Sequence, residues 1–124
     1  MHSISHPVGA IYDTHHGLTN GVVMPYVLSY NRAAIGGRMD DLANALRLPD
    51  NGLDAVLDWL IGMRSQLHVP NTLADLGVGE ARIDELAEKA QRDPSTGGNP
   101  VAMTVDGFKT LIRAAIGGNL AVSA

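Results

Sequence analysis

Apolar side chains recur along this chain at helical spacing, and nowhere do they alternate with polar ones for more than four residues. The clearest stripe is Leu53, Val56, Leu57, Leu60, Ile61 and Leu67, with Arg64 in the same series. Its i, i+3, i+4, i+7 spacing predicts an amphipathic helix between the turn Pro49-Asp50-Asn51-Gly52 and the break Val69-Pro70-Asn71. Ile83, Leu86, Ala87 and Ala90 form a second stripe, with Asp84, Glu85, Glu88 and Lys89 facing outward, and predict a helix over Glu80 to Arg92. A third helix is expected through Val105, Phe108, Leu111, Ile112 and Ala115, opened by Thr104 as N-cap and closed by Gly117-Gly118.

The first half of the chain is more interrupted. Residues 1 to about 11 can make a helical turn or two, ended or kinked by Pro7 and Gly9. Gly17 to Asn31 carries Leu18, Val22, Val23, Tyr26, Val27 and Tyr30, a helix apolar around much of its circumference and therefore buried, with a kink at Pro25. Ile35-Gly36-Gly37 reads as a break, followed by a short helix over Met39 to Leu46. Thr72 to Leu76 reads as one turn closed by Gly77, and Asp93 to Pro100 as the longest loop. The fold class expected is all-α: a single multi-helix domain over residues 1–124, with connections of ordinary length.

Composition narrows the function classes. A chain of 124 residues, 45% hydrophobic and 18% charged, has the size of one globular domain. Its nine basic residues are dispersed and its net charge is −4, so no phosphate-tracking patch forms and no nucleic-acid partner is expected. Cysteine is absent, so any zinc or iron would have to be held by histidine and carboxylate. No secretory leader and no apolar run of membrane-spanning length is read in it, so a cytoplasmic location is expected, without membrane contact.

Four of the five histidines fall in the first sixteen residues: His2, His6, His15 and His16. His2 and His6 are four apart and share one face if that segment is helical, a geometry that offers two imidazoles to one ion. A further histidine past the glycine-containing bend could complete the cluster, and Asp13 could orient an imidazole or stand exposed in the turn. The HxxxH step lacks the glutamate directly after its first histidine that zinc peptidases use as general base, which argues against that activity. No phosphate-binding glycine loop is present either. His68, at the end of the long helix, reads as a helix-terminus or exposed residue.

The segment HSISHPVGAIYDTHHGLTNGVVMPYVLSYN resembles the metal-binding stretch of iron-containing (group III) alcohol dehydrogenases. The match consists of His2, His6 followed by Pro7 and Gly9, His16-Gly17 nine residues further on, Pro25 with Val27, and Asn31. Leu76-Gly77-Val78, Leu86-Ala87-Glu88-Lys89-Ala90 and Asn99-Pro100 continue the resemblance toward the C-terminus. It implies that His2 and His16 are metal ligands. It also implies that His6 lies near the nicotinamide and substrate, which makes it the catalytic and cofactor-facing histidine, and that His15 is no ligand.

The cofactors implied are a divalent metal, iron or zinc, and NAD(P). The family's other two ligands, an Asp and a His, and its α/β nucleotide domain lie upstream of this motif and are not in the chain. The chain is therefore read as the C-terminal helical domain, or a fragment, of an NAD(P)-dependent alcohol dehydrogenase, inactive alone. Its expected partners are the missing nucleotide-binding domain, or further copies of itself through an uncovered apolar face, with a small-molecule alcohol as substrate in the complete enzyme. A free-standing helical interaction module and one subunit of a split dehydrogenase are the alternatives.

Overall fold

The computed structural model describes residues 1–124 and contains six α-helices and no strand. They are α1 (His2–Tyr12), α2 (His16–Tyr30), α3 (Arg32–Ala45), α4 (Gly52–Gln66), α5 (Ile83–Arg92) and α6 (Val105–Gly117). Short 3-10 turns occupy Ala74–Leu76, Glu80–Arg82 and Pro94–Gly98. The all-α class is as the periodicity indicates, and α4, α5 and α6 lie where their stripes place them. Helix α2 is central: it packs on α1, α4 and α6, while α5 lies against both α1 and α6.

The main core joins Ile4 and Val8 of α1, the Val22–Tyr30 face of α2, Leu86 and Ala90 of α5, and Phe108 and Ile112 of α6. A smaller cluster of Ile35, Leu53 and Leu57 ties α3 to α4. The large apolar side chains left exposed are Met1, Leu42, Trp59 and Leu67. No helix is long and apolar enough to cross a membrane.

Two predicted breaks are absent, and burial explains both. Helix α1 runs on through Pro7 and Gly9 to Tyr12. Pro7 removes one backbone donor at a cost of ~3 kcal/mol. Fully buried Ile4 and Val8 flank it, each contributing roughly 1.5–3 kcal/mol by leaving water. Helix α3 likewise begins at Arg32 and runs through Gly36-Gly37. Two interior glycines cost about 1 kcal/mol each. The stripe Ile35, Met39 and Ala43, at i, i+4 and i+8, anchors the helix against α4 and outweighs them.

The predicted ends of α6 hold. Thr104 Oγ1 accepts the Gly107 N–H at 3.0 Å and opens α6, and Gly118 closes it in the left-handed region at φ 78°. Helix α2 continues through Pro25. Buried Arg64 donates from Nη1 to the Val22 carbonyl at 3.1 Å and from Nη2 to Asn71 Oδ1 at 2.9 Å. Its guanidinium thereby ties the end of α4 to the α2 segment that precedes the proline. The Asp93–Pro100 loop is more ordered than its composition suggests, since it winds into the 3-10 turn Pro94–Gly98.

Candidate functional site

The first sixteen residues fold back on themselves and bring three imidazoles together. His2 and His6 stand one turn apart on α1, on the side opposite Ile4 and Val8. Asp13 ends that helix in the left-handed conformation at φ 53°, its N–H donating to the Gly9 carbonyl at 2.9 Å. The reversal is pinned by Thr19, whose hydroxyl donates to Thr14 Oγ1 at 2.8 Å. His16, the first residue of α2, thus returns beside His2 and His6.

Ring centres are 5.2 Å apart for His2–His16, 5.3 Å for His6–His16 and 5.8 Å for His2–His6. The His6 and His16 rings are nearly parallel, at 15°. All three side chains are exposed.

Each ring has different hydrogen bonding. His2 makes no side-chain hydrogen bond, so both its nitrogens are free. His16 Nδ1 lies 3.3 Å from the hydroxyl of buried Ser5, and its Nε2 lies 3.0 Å from the Asn20 amide nitrogen one turn along α2. Ser5 Oγ in turn donates to the His2 carbonyl at 3.2 Å. His6 Nδ1 is 2.7 Å from Asp93 Oδ2. Burial pushes the Asp93 carboxyl up, but hydrogen bonds from His6 and Ser95 outweigh that and hold it below the usual carboxylate range.

Two imidazoles sharing one tetrahedral ion through bonds of ~2.0–2.1 Å have ring centres ~5 Å apart. The His2–His16 and His6–His16 pairs both meet that spacing. The donor set is short of a complete site: no group of three or more histidine and carboxylate side chains is arranged to hold an ion. The imidazoles present therefore supply part of a donor set and not a complete one.

His15 stands apart from the three rings and accepts the Leu18 N–H at 3.4 Å as the N-cap of α2. The Asp13 side chain makes no hydrogen bond to an imidazole and is exposed, as its turn reading has it. His68 is exposed, with φ 56°, just beyond the end of α4. The carboxylate that does reach an imidazole is Asp93, which composition had assigned to a loop. It lies 87 positions from His6, so the only local signal was its Asp-Pro-Ser context, which suits the cap of a tight turn.

Fold and site together define a six-helix domain with an open imidazole cluster built from the start of its first two helices. The model of the Fe-containing alcohol dehydrogenase family, C-terminal, matches residues 1–116, and the chain belongs to that family. It is 31% identical over 121 residues to lactaldehyde reductase of Escherichia coli (strain K12), covering 93% of this chain and 32% of that protein. It is 33% identical over 122 residues to the NAD-dependent methanol dehydrogenase of Bacillus methanolicus, covering 94% and 32%. Among solved structures, a 1,3-propanediol oxidoreductase superposes with a TM-score of 0.85 at 26% identity, over 93% of this chain and 32% of that one. The chain thus spans about a third of the length of the relatives it matches and corresponds to their C-terminal helical part.

Proposed function

We propose that this chain forms the helical wall of an NAD(P)-dependent alcohol dehydrogenase centre, with His2 and His16 as two ligands of a divalent metal and His6 beside the hydride-transfer position. The observation that carries this reading is the convergence of three imidazoles within 5.2–5.8 Å, in the register of the family motif. A nucleotide-binding α/β domain on another segment or subunit supplies the remaining ligands and holds the cofactor. When bound, a divalent cation would act as a Lewis acid toward an alcohol oxygen.

The chain's own residues do the positioning. Helix α1 holds His2 and His6 at fixed spacing, and the Ser5 hydroxyl sets the His16 ring beside them. The Asn20 amide lies at His16 Nε2 and must yield for that nitrogen to ligate. With two imidazoles only, the 124-residue chain binds a cation weakly and does not oxidise alcohols alone.

Zinc titration by calorimetry tests this. His2→Ala and His16→Ala should each weaken binding at least tenfold, and His15→Ala should leave it unchanged. Zinc binding indifferent to His2 and His16, or NAD(P)-coupled turnover of an alcohol by the chain alone, would overturn the reading.

A further inference from the structure

We infer that Asp93 is a positioning residue that locks His6 in the tautomer protonated on Nδ1, so that the Nε2 lone pair is the acceptor His6 presents to the site. This deepens the proposed function, because it rests on His6 facing the reacting alcohol. An ionised carboxylate is an acceptor only, so the 2.7 Å contact to Oδ2 requires the proton on Nδ1. Nε2 makes no hydrogen bond within the chain, and the ring is about half exposed beside His2 and His16. A group facing an alcohol is useful as an acceptor of its O–H. The Nδ1-protonated tautomer is the neutral form that leaves Nε2 free to accept.

The carboxylate is itself held firmly. Its side chain is 10% exposed, and Oδ1 accepts the Ser95 N–H at 2.8 Å as Asp93 caps the 3-10 turn Pro94–Gly98. One oxygen is thus committed to the backbone and the other to His6. That division makes the aspartate's role separable from simple capping. In Asp93→Asn, the amide oxygen must stay on the Ser95 N–H, leaving the NH2 to face His6. An NH2 donates, so His6 must then accept at Nδ1 and carry its proton on Nε2. Asparagine caps as well as aspartate does, so the turn is kept while the tautomer is inverted.

The test is nitrogen-15 NMR of the imidazoles in the full chain, without metal, at a pH where they are neutral. The parent should show His6 mainly protonated on Nδ1, and Asp93→Asn mainly on Nε2, with melting close to the parent's. Asp93→Ser, which keeps a capping oxygen but loses the one facing His6, should also lose the Nδ1-protonated form. The inference is overturned if the parent carries the proton on Nε2, or if Asp93→Asn leaves His6 as it was. Zinc affinity is a separate readout: its failure to depend on His2 and His16 would sink the metal reading while leaving the Asp93–His6 result standing. An unchanged tautomer with normal zinc binding would do the reverse.

Discussion

Replacing Asn31 by alanine should destabilise the fold by about 3–4 kcal/mol, because its side chain holds the end of α2 to the loop that carries the site's carboxylate. Asn31 is 4% exposed. Its Nδ2 donates to Asn99 Oδ1 at 3.0 Å and its Oδ1 accepts from Asn99 Nδ2 at 2.9 Å. Each of these reciprocal bonds is worth about 1 kcal/mol, and leaving the half-buried Asn99 oxygen without a donor adds about 1–2 kcal/mol. The bond from Asn31 Nδ2 to the Val27 carbonyl matters less, since that carbonyl keeps the Asn31 backbone N–H at 3.1 Å. Asn99 retains only its donation to the Val101 carbonyl at 2.8 Å.

Urea denaturation of Asn31→Ala, Asn99→Ala and the double variant forms a double-mutant cycle. The two singles should together cost more than the double, with a coupling of about 1–3 kcal/mol. Hydrogen exchange should show the amides of the Pro94–Gly98 turn losing protection in all three. Strict additivity, or a loss below about 1 kcal/mol for Asn31→Ala, would refute the clamp.

Other perturbations read different parts of the molecule. Gly36→Ala and Gly37→Ala point new methyl groups into open solvent from inside α3, so together they should raise stability by about 1–2 kcal/mol in thermal or urea melts. Gly107→Ala puts a Cβ 2.6 Å from the hydroxyl of buried Tyr30, and this overpacking of about 1–3 kcal/mol should exceed the helix-propensity gain of about 1 kcal/mol. In a Tyr30→Phe background the same change should stabilise. The folded-state pKa of Asp93 is lowered below its unfolded value near ~3.9, so its contribution is complete above that value and lost as pH falls through the folded one. Asp93→Asn should flatten the stability profile measured from about pH 5 down to pH 2.

The helices legible in the sequence were those whose boundary signals and apolar stripes agree. Helix α4 follows a turn and has a full i, i+3, i+4, i+7 face. Helix α6 has a threonine cap at one end and a left-handed glycine at the other. Where breaker residues and burial disagreed, local chemistry misled. Pro7 and the Gly36-Gly37 pair carry penalties that a short peptide would feel in full. In the fold, Ile4, Val8, Ile35 and Ala43 reverse the balance through partners far along the chain. Those partners are invisible to a window of ten residues.

The site divides along the same line. Its imidazoles lie within fifteen consecutive residues, so one helical turn and one reversal suffice to bring them together. Spacing marked His2 and His6, and the family resemblance singled out His16 over His15. Residues that orient the rings are less local: Ser5 and Asn20 look like ordinary helix positions, and Asp93 reaches His6 only because α5 packs on α1. Helix α1 also separates its duties by face, with Ile4 and Val8 in the core and His2 and His6 exposed. Replacing the exposed His2 imidazole, which makes no side-chain hydrogen bond, should change stability by no more than about 0.5 kcal/mol. A loss of metal binding on His2→Ala would therefore report on ligation itself, whereas the same loss after a change at Ile4 or Val8 would report only that α1 had moved.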